Sequence, residues 1–168
     1  MAEIRTVAVI GAGVSGRAIA CAAALCGYRI ILEDILPSSL RRADAEMRVV
    51  LPASAMARIE YASTVEEAAR QADLVIEAVP DELESKLEIF ILLDKICRPQ
   101  TILALNSSTV SVEDVASVTY RPQKCIGIRF FDSAPPHMRV EMVRGERTDE
   151  ETMAACADVA RQMEASGA

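Results

Sequence analysis

A chain of 168 residues has room for one domain with a real core, and 51% apolar against 26% charged residues is an ordinary globular balance. Eighteen basic against 25 acidic side chains leave a net charge of -7, which repels phosphate backbones and anionic lipid surfaces, and 4% aromatics without Trp supply no stacking platform for single-stranded nucleic acid. No nucleic-acid or membrane partner is expected, because in addition no apolar run approaches the roughly 18 residues of a spanning helix.

The opening MAEIRTVAVIG enters a strand at once, so no signal peptide is expected. The short β-branched run at 4–10 is followed by an almost wholly apolar helix, Val14 to Leu25, and by a strand at 28–32. Pro37 and Ser38 open a polar helix reaching about Val50. STVEEAARQ carries a capping-box pattern, Ser63 with Glu66, before a short helix. DLVIEAV is then a buried third strand, DELESKLEIFILLDKI a helix by its apolar spacing, and TILAL a fourth strand. SVEDVAS is a short helix that Ser111 caps; CIGIRFF and RVEMV are two further strands, and residues 149–164 form a last helix. Five cysteines (Cys21, Cys26, Cys97, Cys125, Cys156) form no CxxC pair and no metal-ligand cluster. Cys21 and Cys26 read as free thiols packed as small hydrophobes in the first buried helix, which suits a reducing cytoplasm.

Strand and helix alternate, and the strands are continuous apolar runs, as parallel strands covered on both faces should be. The expected fold is one doubly wound α/β domain over residues 1–168, with a mostly parallel sheet of Rossmann type.

Gly11, Gly13 and Gly16 spell GxGxxG between the first strand and the first helix. The first glycine permits the tight turn, the second lets the backbone approach a pyrophosphate, and the third lets the helix pack against the strand. Amides at the helix N-terminus then form an anion site without a lysine. The second strand ends in Glu33 and Asp34, about the usual distance beyond the turn for the acid that accepts from the adenosine ribose. Asp34 lies nearer the strand's edge and is the expected ribose contact, with Glu33 a solvated neighbour. Two adjacent acids repel a 2′-phosphate, so the expected cofactor is NAD rather than NADP. No GxxxxGK[ST] phosphate loop is present. Ligands bind beyond the carboxyl ends of such strands, which makes VIEAVPDE, LALNSST and IRFFD the places to look for chemistry.

In those segments the chain resembles the NAD-binding domain of the 3-hydroxyacyl-CoA dehydrogenases. The similarity runs from about Ile4 to Met163 through VIGAGVSG, DLVIEAVPDELESK, ILALNSST, GIRFFDSAP and VEMVRGERTDEET. It implies hydride transfer between NAD and a 3-hydroxyacyl substrate in fatty-acid metabolism. Gly11, Gly13, Val14, Gly16 and Asp34 would hold the ADP half of NAD. Ala78 and Val79 would lie beside the cofactor, Asp81 would take the place of a cofactor-contacting acid, and Lys86 that of a lysine near the cofactor. Asn106 matches the asparagine at the nicotinamide end, and Ser108 the serine that contacts the substrate oxygen.

The family pairs a histidine base with a glutamate. Glu141 matches the glutamate, but the histidine position is Arg129, and FFDS stands where the family reads FFNP. A guanidinium stays protonated and has no acceptor lone pair, so Arg129 does not abstract an alcohol proton. Three roles stay open for it: a buried ion pair with Glu141, recognition of a carboxylate, or polarisation of a carbonyl with water supplying the proton. His137, the one histidine, lies on the connection after this strand. The family continues past the last helix into a helical domain that carries CoA and dimer contacts. Two alternatives therefore stand beside an oxidoreductase acting on a small acyl-CoA-type substrate. One is an NAD-binding module without hydride transfer; the other is an oxidoreductase for a free hydroxy acid gripped by Arg129.

Overall fold

In a computed structural model, residues 3–131 and 138–166 are described. They form the strands β1 (Thr6–Ile10), β2 (Arg29–Glu33), β3 (Ile59–Ala62), β4 (Leu74–Glu77), β5 (Ile102–Leu105), β6 (Cys125–Phe131) and β7 (Arg139–Val143). Between and after them run helices α1 (Val14–Leu25), α2 (Pro37–Val50), α3 (Ala53–Met56), α4 (Val65–Ala69), α5 (Leu83–Ile96), α6 (Val112–Ala116) and α7 (Glu150–Ser166).

The strands make one sheet in the order β3-β2-β1-β4-β5-β6-β7. All neighbours are parallel except β6 and β7, which pair antiparallel with Arg129 opposite Glu141. Chain order reverses direction between β1 and β4, which makes their carboxyl ends the switch point of a doubly wound sheet.

β1, β4 and β5 are buried at every position, as strands covered on both faces must be. Alternate residues feed two cores. Val7, Val9, Ile30 and Leu32 pack with α1, α2 and α7, while Ala8, Ile10, Ile31 and Val75 pack with α4, α5 and α6. The first helix is alanine-rich (VSGRAIACAAAL), so it lies close against the sheet, with Ala20, Ala23 and Ala24 wholly or almost wholly buried.

Two expectations are corrected here. DLVIEAV supplies the fourth strand rather than the third, because Ile59–Ala62 forms an edge strand whose middle residues, Glu60 and Tyr61, are exposed. The cap of α4 is Thr64, whose hydroxyl accepts from the Glu67 amide at 3.2 Å while Glu67 reaches back to the Ser63 amide; the pairing sits one residue later than Ser63 with Glu66. Ser111 does cap α6, in a reciprocal box with Asp114. All five cysteines are free; Cys97, Cys125 and Cys156 are buried, whereas Cys21 and Cys26 are half-buried, Cys26 lying just past α1 as its C-cap. Among the described residues no helix is long and apolar enough to cross a membrane.

Candidate functional site

A cleft of about 870 Å³ opens over the switch point. Its floor is the turn from β1 to α1. Gly11 has φ +104° and a Cβ there would fall 2.9 Å from the Ala78 carbonyl oxygen, so only glycine brings this turn against β4. At Gly16 a Cβ would collide with the Gly11 carbonyl oxygen, which is how α1 comes to sit so close to β1. Gly13 differs. It is the N-cap of α1, takes an ordinary negative φ, and a Cβ there would meet nothing within 4 Å.

That open space faces the cleft, and no side chain caps α1. The first-turn amides of a twelve-residue helix therefore point at a space kept clear of side chains, an arrangement suited to a pyrophosphate. Val14, Ile35 and Leu36 line the mouth and are 74%, 80% and 56% exposed, an apolar rim fit to be covered by a flat ring system.

Asp34 stands at the end of β2 and holds the loops around it. One carboxylate oxygen accepts from the Ala12 amide and the other from the Leu36 amide, both at 2.9 Å. Each oxygen keeps a lone pair for a hydroxyl in the cleft. Glu33 is not the solvated neighbour expected of it. It is 5% exposed, and burial, aided by the charges of Asp34 and Glu66 and opposed by the Gly11 amide, pushes its carboxyl up to about 7.

The far end of the cleft is organised by Lys86. Its side chain and that of Glu77 are both fully buried, and its ammonium bonds the two Glu77 oxygens at 2.7 and 2.8 Å. It also donates to the carbonyls of Val79 (3.1 Å) and Asn106 (3.2 Å) and lies 3.4 Å from Asp81. The Val79 amide completes the group by donating to Glu77 at 2.7 Å. Burial raises the Glu77 carboxyl, and Lys86 draws it back. Lys86 thus lies beneath the cleft wall rather than on it, and binds the end of β4 to the end of β5. Neither Lys86 as a positioning residue nor Glu77 as its partner was read from the sequence in that role. The signal available was a lone acid inside an otherwise apolar strand, followed nine residues later by a lysine.

Asp81 shares one oxygen among the Ser108 amide and hydroxyl, each at 3.2 Å, and the Thr109 hydroxyl at 3.1 Å. Burial works to raise its carboxyl, but hydrogen bonds from Ser107, Ser108 and Thr109 and the charge of Lys86 outweigh it and hold Asp81 at about 2. The Ser107 hydroxyl accepts from the amides of Thr109 and Val110, which turns the chain after β5 back toward α6. Ala78, Val79, Asp81, Asn106 and Ser108 all line this end of the cleft.

Arg129 completes it. Its Nε donates to the Ser107 carbonyl at 2.9 Å, and it lines the cleft beside Phe130 and Phe131. The buried ion pair with Glu141 is not formed. The two are cross-strand partners, but Glu141 is exposed, does not line the cleft, and makes no ion pair with Arg129 among the described residues. Water already solvates Glu141, while the Ser107 carbonyl holds the guanidinium on the cleft side. His137 lies outside the described residues.

An uncapped helix N-terminus, a strand-end carboxylate and a polar row at the opposite strand ends, joined by one cleft at a switch point, define a dinucleotide-binding domain of Rossmann type. The chain belongs to the 3-hydroxyacyl-CoA dehydrogenase family: the model for that family's NAD-binding domain matches residues 6–167. A probable 3-hydroxybutyryl-CoA dehydrogenase of Bacillus subtilis is 36% identical over 89% of this chain and 56% of its own length. A 3-hydroxyadipyl-CoA dehydrogenase of Escherichia coli is 34% identical over 91% of this chain and 35% of its own. Among solved structures, the (S)-3-hydroxybutyryl-CoA dehydrogenase PaaH1 of Ralstonia eutropha superposes with a TM-score of 0.89 at 31% identity, over 96% of this chain and 62% of that one. The chain thus spans little more than half of the relatives it matches most fully.

Proposed function

We propose that the chain is the cofactor-holding part of an NAD-dependent oxidoreductase acting on a 3-hydroxyacyl thioester in fatty-acid metabolism, in a reducing cytoplasm to which its free thiols are suited. The observation that carries this reading is the cleft itself, in which the open space at Gly13, the carboxylate of Asp34 and the row Asn106, Ser108 and Arg129 lie on one continuous surface. The nicotinamide cofactor, when bound, would supply the hydride acceptor for oxidation of the alcohol and, in its reduced form, the hydride donor for reduction of the ketone.

The remaining work falls to the chain's own residues. The α1 amides take the pyrophosphate, and Asp34 takes the adenosine ribose. Asp81 and the clasped ends of β4 and β5 position Asn106 and Ser108 at the nicotinamide end. Ser108 holds the substrate oxygen, and Arg129, always protonated, polarises a carbonyl oxygen in the reducing direction while water supplies the proton.

One observation favours a second reading. With Nε anchored on Ser107, the two terminal guanidinium nitrogens of Arg129 have no protein acceptor among the described residues. A planar fork held in this way suits a carboxylate, so the substrate of this reading is a free hydroxy acid.

Calorimetry on the whole chain tests the cofactor claim: NAD binds, NADP binds far more weakly, and Gly13→Leu abolishes binding while thermal unfolding is unchanged. Equal NAD affinity in wild type and Gly13→Leu overturns it. Loss of reduced-nicotinamide absorbance with a 3-ketoacyl-CoA supports the thioester reading. Turnover confined to free keto acids, and lost in Arg129→Met, supports the carboxylate reading.

A further inference from the structure

We propose that Glu33 is a second carboxyl through which this chain grips the adenosine half of the dinucleotide, binding it as a neutral acid that donates a hydrogen bond while Asp34 remains charged. The inference rests on the reading of the cleft as a dinucleotide site.

Glu33 is the last residue of β2, level with Ile10 of β1 and Ala62 of β3. The residue lines the cleft next to Asp34 yet is only 5% exposed. Apart from the nearby Gly11 amide, no protein donor among the described residues reaches its carboxyl. The charges that act on it are both negative, Asp34 next to it in the chain and Glu66 in the first turn of α4. β1 and β3 offer it only the apolar Ile10 and Ala62.

A carboxylate in that setting has little water and, among the described residues, no cation to stabilise it, and its proton is held up to about pH 7. A ligand seated over it would remove the last solvent and bring the pyrophosphate's charge to the neighbouring turn. Both effects favour the neutral form further. A neutral carboxyl also does what Asp34 does not: it presents an O–H donor. The adenosine half of a dinucleotide offers acceptors for it, in ring nitrogens and ribose oxygens.

Binding should therefore draw a proton from solution. The test is calorimetric titration of the whole chain with NAD at pH 5.5 and pH 8, in buffers of different ionisation enthalpy. The expected result is uptake of close to one proton per NAD at pH 8 and almost none at pH 5.5, with affinity falling up to tenfold per pH unit above about 7. In Glu33→Gln, whose amide keeps a donor but does not titrate, the uptake disappears and affinity at pH 8 at least equals that of wild type. Wild-type binding at pH 8 without proton uptake overturns the proposal and leaves the dinucleotide reading standing; so does uptake that persists in Glu33→Gln. If wild type binds no NAD at either pH, the dinucleotide reading falls and this proposal falls with it. If Glu33→Gln fails to fold, the pH dependence of the wild-type uptake decides: onset near pH 7 supports the proposal, and uptake that is absent, or equal at pH 5.5 and pH 8, overturns it.

Discussion

At the α1 end of the cleft the ligand-facing groups are mostly backbone: amides of an uncapped helix turn, spaced by glycines, with Asp34 as the principal side chain. At the β4–β6 end they are side chains, and each is fixed by another. Lys86 fixes the strand ends, Asp81 fixes Ser108 and Thr109, and Ser107 fixes Arg129. The first end depends on what is left out of it, and the second on a chain of hydrogen bonds. One substitution should therefore act locally at the first end and spread through the second.

The largest effect is expected at the clasp. Lys86→Met leaves Glu77 buried without its cation and should cost about 3–5 kcal/mol in urea unfolding. Lys86→Met combined with Glu77→Gln should recover most of that, since the amide still accepts from Val79 and donates to nearby carbonyls. A single variant that costs less than about 1 kcal/mol would refute the clasp.

Next come the glycines, which divide sharply. Gly16→Ala drives a methyl into the Gly11 carbonyl and should cost about 3 kcal/mol by overpacking, whereas Gly13→Leu should stay within about 0.5 kcal/mol of wild type and lose NAD affinity about a hundredfold or more. Equal stability of the two variants would remove the distinction drawn between these positions.

Glu33 gives a smaller, pH-dependent effect. Its folded-state pKa of about 7 lies above the ordinary 4.5, so the folded chain keeps a proton that the unfolded chain has already lost. That contribution is complete below about pH 4.5 and is lost as pH rises through about 7. Glu33→Gln should therefore match wild type at pH 4 and exceed it at pH 8 by about 1–3 kcal/mol, as thermal unfolding at the two pH values would show. A difference of the same size at both pH values would contradict the assignment.

The smallest change is expected from Arg129→Met. It removes one hydrogen bond to the Ser107 carbonyl at a partly solvated site, and the expected loss is about 1 kcal/mol. A loss above about 3 kcal/mol would mean that the arginine serves the fold more than the cleft.

The same division decides what was legible in the sequence. The α1 end was open to reading because glycine spacing and a strand-end acid are local patterns, and Gly11, Gly13, Gly16 and Asp34 all meet where that spacing implies. The parallel sheet followed from continuous apolar runs. Ile59–Ala62 escaped because an edge strand with two exposed residues lacks such a run, and Thr64 escaped because two overlapping Ser/Thr-x-x-Glu frames compete there. Glu33 was misread because adjacency to Asp34 says nothing about which face of the strand a side chain takes; alternation with the buried Ile31 would have placed it inward. Pairing of Arg129 with Glu141 was one of three roles left open at the family's base position; the strand register does set the two opposite each other, but Glu141 stands exposed and the pair does not form. Long-range clasps such as Lys86 with Glu77 need the sheet order before they can be seen.

The ammonium of Lys86, sealed among four strand-end partners, has one more implication. The wall it stiffens is assembled when the chain folds, so an arriving ligand has no rotamers to freeze there and no water to strip from that charge. Adjustment on binding is left to the opposite rim, where Val14, Ile35 and Leu36 stand in solvent. The cleft should therefore behave as a fixed anvil facing a pliable lip, with amide exchange on ligand binding slowing chiefly along the lip.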